Sequence, residues 1–315
     1  MAEPEHPFVI AIFGPTGVGK TSAAIDLALR YNGEVVNADS RYLYRHLEIG
    51  VAKPTLEERR GVRHHLIDVF DPTNFITIAQ VQKMAYAAID DIVRRDKLPI
   101  VVGGTPLYMN AIVDGWRIPE VAPDWPFREH LAQRIDRDGL ATIAAELAKI
   151  DPVAAERSGQ NPRRVIRALE IYNVTGRSMS ELEGKEPPPY RILRIALTRD
   201  RDDLYRMLDR RIDDQIAVGL LDEVRGLIEM GMSGEDPAFS SIGYRQLLPV
   251  LTGEQTMEQA VARIKHDTHR YVRHQMTWLR KTPGLHWIDT GAETWKSELL
   301  ALAHAHLGSA STTES

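Results

Sequence analysis

The sequence predicts an α/β protein with a parallel-sheet core, an inserted all-helical domain and a helical C-terminal region. Three observations carry this. Short, wholly apolar runs end in glycine or small polar residues, as buried parallel strands do. Helix-patterned stretches alternate with those runs over the first 115 residues, the rhythm of a parallel sheet. The alternation then stops, and one more strand-like run returns near Arg191.

FVIAIF (Phe8–Phe13) is the first strand, and the helix-forming residues of Ala23–Tyr31 follow it. EVVNA (Glu34–Ala38) is the second strand. Ile76–Arg95 has helical periodicity and a basic end, suited to the negative pole of a helix C-terminus. LPIVV (Leu98–Val102) is a third strand, closed by Gly103-Gly104. From Trp125 to about Gly184 the pattern is helical, broken at Pro152, Pro162 and Gly176. RILRIAL (Arg191–Leu197) returns to the sheet, and helices follow at Asp202–Val218, Leu220–Met230 and Met257–Arg280. The expected organisation is a discontinuous core (1–115 and 191–307), a helical insertion (116–190) and a disordered polar tail, GSASTTES (308–315).

The 315 residues are 43% apolar and 26% charged, which excludes a disordered chain. Zero cysteines exclude disulfides, thiolate metal sites and a cysteine nucleophile. No apolar run approaches the ~20 residues of a membrane span, and MAEPEHP lacks the layout of a signal peptide. The expectation is a cytoplasmic, monomeric protein. Its net charge of −5 hides polarity: Arg157–Arg177 carries +4, Arg263–Lys281 +5 and Asp213–Asp236 −6. Such a distribution fits either one basic cleft or simply solvated helix faces.

GPTGVGKT (Gly14–Thr21) matches G-x-x-x-x-G-K-[ST] between a strand and a helix, so the sheet is P-loop NTPase-like. Its glycines let backbone N–H groups wrap phosphate oxygens, and the helix adds its positive pole. Lys20 supplies a point charge, and the Thr21 hydroxyl is placed to coordinate Mg2+. The motif identifies a di- or triphosphate, not a reaction. In NTPases a second strand ends in a metal-holding acid, but LPIVV ends in Gly103-Gly104-Thr105. The acid at a strand end is Asp39, which reads as a metal carboxylate, a general base or a turn cap. Thr105 reads as a helix cap, a ligand, or both.

GPTGVGKTS, NADSRYLYRHLEIGVAKP, HHLIDVFDP, LPIVVGGTPLY, NPRRVIRALE, SSIGYRQL and TWLRK together resemble, in order, the tRNA dimethylallyltransferase (tRNA isopentenyltransferase) family. The resemblance covers residues 8 to 288. It implies transfer of a dimethylallyl group from dimethylallyl diphosphate to the exocyclic amine of adenosine 37 in the anticodon stem-loop of tRNA, with Mg2+ as cofactor. Gly14, Pro15, Thr16, Gly17, Val18, Gly19, Lys20, Thr21 and Ser22 would bind the donor diphosphate. Arg211 would be a further arginine at that diphosphate. Asp39 would be the general base, with Thr105 opposite it. The implied tRNA contacts are Asp39, Ser40, Arg41 and Tyr42, then Thr105 and Arg128, then Arg163, Arg164, Val165, Ile166 and Arg167, and finally Gly243, Tyr244 and Arg245. Stacking on a side chain such as Tyr42 or Tyr244 could offset part of the cost of flipping the base.

Two positions depart from the family pattern: Tyr42 stands where glutamine is usual, and Val51 where threonine is usual. His64, His65 and Asp68 do not read as a metal site, because adjacent histidines point apart in a strand. Competing readings are a P-loop small-molecule kinase, an adenylate dimethylallyltransferase and a nucleotide-gated RNA-binding protein.

Overall fold

The computed structural model describes residues 6–308, which form eight strands and thirteen α-helices. The strands are β1 (Phe8–Phe13), β2 (Gly33–Asn37), β3 (His64–His65), β4 (Leu98–Val102), β5 (Trp116–Arg117), β6 (Gly184–Lys185), β7 (Arg191–Thr198) and β8 (His286–Asp289). The helices that matter for function are α1 (Lys20–Arg30), α2 (Ile78–Arg94), α3 (Pro106–Val113), α4 (Trp125–Asp138), α5 (Leu140–Ile150), α6 (Pro152–Ser158), α7 (Pro162–Thr175), α8 (Met179–Leu182), α9 (Arg201–Ala217), α10 (Leu220–Glu229), α11 (Tyr244–Leu251), α12 (Met257–Leu279) and α13 (Trp295–Gly308). The tail expected at 308–315 begins on Gly308, the last residue of α13, and otherwise lies outside the described residues.

Six strands form one parallel sheet in the order β3-β2-β4-β1-β7-β8. The apolar runs explain its centre, because a parallel strand covered on both faces has no solvent side to leave polar. Along β1, Ile10 and Ile12 pack with α1 and α9, whereas Val9, Ala11 and Phe13 pack with α2 and α3. A further apolar cluster joins Leu43, Tyr44 and Leu47 to α10, α11 and the first half of α12.

The chain divides into two compact units, each with its own core. The second comprises Thr77–Gln80 and Asp114–Pro188; the first holds the remainder of the described chain. The second unit packs α4 to α7 around Leu131, Ile143, Leu147 and Val165. It is not wholly helical, since β5 and β6 pair as a two-residue antiparallel ladder. Asp124, Asp151 and Asn161 cap α4, α6 and α7 by accepting first-turn amides, which sets where each helix begins.

In-register pairing brings the ends of β1, β2 and β4 to one edge, with Ile12 and Asn37 both opposite Val102. The loops that follow are the phosphate loop, Ala38–Ser40 and Gly103–Thr105. Ligands bind at this carboxyl edge in open α/β sheets.

Candidate active site

A cavity of about 760 Å³ opens there, lined by Gly17, Gly19, Lys20 and Thr21 of the phosphate loop and by Asp39, Tyr42, Gly104 and Arg211 among others. Gly19 precedes α1 in the left-handed region (φ 98°) with no side-chain cap, so the first-turn amides of α1 have no intrahelical acceptor. A Cβ at Gly19 would meet nothing within 4 Å, leaving that space open for an anion. At Gly17 the positive φ (78°) favours glycine, and a Cβ there would stand 2.6 Å from a Leu208 methyl, which would have to shift.

Lys20 donates to the Pro15 carbonyl at 2.7 Å, which curls its ammonium back over the loop. Desolvation lowers its pKa to about 8; Asp39 opposes that shift and Arg211 adds to it. Arg211 does not pair with Asp213 or Asp214. It lines the cavity and donates to the Ala52 carbonyl at 3.4 Å. Two cations thus face one void, the electrostatic condition for binding a multiply charged anion.

Asp39 stands across from Lys20. A Cβ on Gly104 would lie 3.3 Å from Lys20 Nζ and 3.5 Å from Asp39 Oδ2, so both groups border one point. Asp39 Oδ1 accepts the Arg41 amide at 2.9 Å, and its own amide donates to Asn37 Oδ1 at 2.9 Å. This Asx turn fixes the carboxylate while Oδ2 faces Gly104. The Thr105 carbonyl caps α3 by accepting the Tyr108 and Met109 amides. Its hydroxyl does not cap: it accepts the Ser40 amide at 3.3 Å and lies 3.3 Å from Ser40 Oγ. Two partly buried phenols, Tyr108 and Tyr271, feel the Asp39 charge. Burial comes first in pushing both up to about 12; the Asp39 charge comes second for Tyr271, and Tyr44 for Tyr108.

Magnesium fits this donor set, because it takes few protein oxygens and shares the rest with phosphate and water. Thr21 and Asp39 both line the cavity. Among the described residues, no group of three or more His, Cys, Asp or Glu is arranged to hold a metal, so His64, His65 and Asp68 form no such centre. Lys53 of the GVAKP segment is occupied internally. Its buried ammonium donates to the Tyr44 carbonyl, Glu48 and Asp68 at 3.0, 2.8 and 2.5 Å, which shapes the cavity wall.

The profile of the IPP transferase family matches residues 42–282. The chain belongs to that family. A Thermomicrobium roseum protein named tRNA dimethylallyltransferase is 53% identical over 292 residues, covering 92% of this chain and 89% of the other. One of the same name from Roseiflexus castenholzii is 47% identical over 278 residues, covering 88% and 91%. Among solved structures, a tRNA isopentenylpyrophosphate transferase from Bacillus halodurans superposes with TM-score 0.73 at 37% identity, covering 98% of this chain and 99% of that one. A eukaryotic dimethylallyltransferase described as acting on tRNA gives 0.80 at 30% identity, covering 95% and 78%.

Several contacts implied by the family resemblance need correction. Tyr244 is fully buried, donates to Glu223 at 2.6 Å and packs edge-on against Phe239, so it offers no face to a base. Glu223 in turn accepts the amides of Glu48, Ile49 and Gly50, which makes Tyr244 a structural anchor for that loop. Gly243 is buried beside it. Tyr42 lines the cavity, and its hydroxyl donates to the Ala52 carbonyl at 2.8 Å, next to Thr21 on the donor side.

In the second unit, Val165 is a core residue. Arg128 and Arg167 converge on buried Glu170 at 2.7 and 2.5 Å. Burial alone would raise the Glu170 pKa; the two guanidinium groups and the Asp124 amide hold it low. Breaking such a buried pair costs about 3–5 kcal/mol. Both guanidinium groups are thus tied to Glu170. Exposed Arg163 and Arg164 at the start of α7 remain available, with partly buried Ile166 beside them. Arg245 is exposed too, although it leans on Asp267 at 3.5 Å. Reversing the charge of Arg163 and Arg164 is therefore expected to weaken tRNA binding and to flatten its dependence on salt by roughly two ions. Filter binding across a salt series reads this, and an unchanged slope places the RNA elsewhere.

Proposed function

We propose that this protein transfers a dimethylallyl group from dimethylallyl diphosphate to the exocyclic amine of adenosine 37 in tRNA, giving N6-(dimethylallyl)adenosine and diphosphate. One observation carries the reading: the phosphate loop and Asp39 face a single cavity across Gly104, where β4 is followed by glycine rather than an acid. A phosphoryl transferase needs its metal-bound acid and an in-line acceptor at the terminal phosphate. A departing diphosphate needs donors and positive charge alone. The names of the relatives support the same chemistry.

In this mechanism the amine nitrogen forms a bond to the allylic carbon as the carbon–oxygen bond to diphosphate breaks. The electron pair leaves on that oxygen, where the first-turn amides of α1 and the Lys20 ammonium receive it. Arg211 holds the distal phosphate. Asp39 Oδ2 takes the proton lost by the amine. Ser40 and Thr105 close the acceptor side. Magnesium, held by Thr21 when bound, supplies Lewis-acid neutralisation of the diphosphate. The nucleoside must leave its stack, at a cost of a few kcal/mol. Arg163 and Arg164 grip the stem-loop backbone. Among the described residues no helix is long and apolar enough to cross a membrane. We assign the enzyme to the cytoplasm, acting as a monomer.

Incubation with unmodified tRNA, dimethylallyl diphosphate and magnesium should yield one adenosine per molecule carrying a dimethylallyl group, read by nucleoside mass. ATP hydrolysis without prenylation, or prenylated AMP beside untouched tRNA, contradicts the assignment.

A further inference from the structure

Between two loops that border the cavity lies a side chain with no part in the chemistry described above. Gln275, on α12, is 2% exposed. Its Oε1 accepts the Thr16 amide at 3.0 Å, and its Nε2 donates to the Gly104 carbonyl at 2.5 Å. Thr16 belongs to the phosphate loop; Gly104 precedes Thr105 and borders both Lys20 and Asp39.

The need for such a group follows from the sheet. Strands β1 and β4 are hydrogen-bonded neighbours up to the Gly103 amide, which donates to the Ile12 carbonyl at 3.3 Å. Beyond that bond the two loops diverge, and among the described residues no backbone hydrogen bond joins them. A primary carboxamide carries an acceptor oxygen and two N–H donors in one plane, so it can offer the acceptor–donor pair that a peptide group does. Gln275 thus extends the β1–β4 pairing past the end of the sheet. Gly104 accommodates it closely, since a Cβ there would lie 3.0 Å from Gln275 Nε2. Tyr271, one turn earlier on the same helix face, lies against both Gln275 and Thr105.

We propose that Gln275 is a positioning residue: it sets the separation between the loop that holds the leaving diphosphate and the Gly104–Thr105 segment that frames Asp39 and the incoming amine. The inference rests on the transfer reaction proposed above. Nitrogen and carbon must approach to about 3–3.5 Å, and a displacement of about 1 Å costs roughly 100-fold in rate. Glutamate at this position keeps the acceptor but loses the donor, methionine loses both, and asparagine is too short to reach both loops.

The test compares full-length wild type with Gln275→Glu, Gln275→Met and Gln275→Asn. Dissociation constants for magnesium diphosphate and for tRNA, and the single-turnover rate at saturation, are measured for each. The expected result is affinities within about threefold of wild type and a transfer rate lower by about 100-fold. A second readout does not depend on how much of a variant folds: the share of consumed donor released as dimethylallyl alcohol. With the amine misplaced, water attacks the allylic carbon, diphosphate leaves, and the water proton passes to solvent. The ratio of alcohol to prenylated tRNA should rise about tenfold or more in all three variants. An unchanged ratio, or a transfer rate near wild type, overturns the proposal. Wild-type protein that fails to prenylate tRNA at all overturns the transfer reaction instead.

Discussion

Replacing Asp39 with alanine is expected to lower turnover by about 100- to 10,000-fold, the range for a lost general base. The adenine amine is a weak nucleophile whose proton must leave as the new bond forms, and Asp39 Oδ2 is the carboxylate oxygen facing Gly104 and Lys20. Asp39→Asn is the sharper variant. It can still accept the Arg41 amide at the Oδ1 position, so the turn that holds the loop survives while the base is gone. The two substitutions should therefore fall to similar rates, with donor and tRNA affinities little changed. Steady-state kinetics on both substrates checks this. A near-normal rate for Asp39→Asn removes the residue from proton transfer.

Lys20→Met is expected to lower kcat/KM for the donor by about 100- to 1,000-fold, comparable to losing one preorganised oxyanion donor, with tRNA affinity unaltered. Its pH dependence has a definite sign. In the ligand-free protein Lys20 has its pKa lowered to about 8 by desolvation. The bound diphosphate requires the ammonium form, so above pH 8 binding must take up a proton. Donor affinity should then fall as pH rises through 8, by up to about tenfold per unit, and stay level with respect to this group below 8. Lys20→Met should abolish that falling limb. Calorimetric titration with magnesium diphosphate reads both effects, and a falling limb that persists in the variant assigns the titration to another group.

Where sequence alone sufficed, the reason is that burial left a pattern. Strands β1 and β4 are apolar throughout, so neither face was in doubt, and the phosphate loop is specified by its glycines whatever the rest of the chain does. The edge strands β3 and β8 escape notice because HH and HWID carry no periodicity of their own; pairing with β2 and β7 defines them. Arg128 and Arg167 enter as RNA contacts through the family resemblance, which carries positions over without the partners they have in this chain. The signal against that reading was present in Glu170, three residues after Arg167 on the same helix face. Tyr244 begins an amphipathic helix whose inner stripe continues with Leu247, which marks it as core. Gln275 was legible in the same way. The buried stripe of α12 runs Ile264, Thr268, Val272, Gln275 and Leu279, and a carboxamide on a core stripe needs partners. What no pattern supplies is their identity, because Thr16 and Gly104 lie more than 170 residues away.

A crystal structure with tRNA and an unreactive thio-analogue of the donor tests the central claim most directly. The account predicts the diphosphate within hydrogen-bonding distance of the Gly17–Thr21 amides and Lys20 Nζ, with Asp39 Oδ2 bonded to the exocyclic amine of the flipped adenosine. A diphosphate seated outside that loop, or an Asp39 carboxylate turned away from the amine, would contradict it.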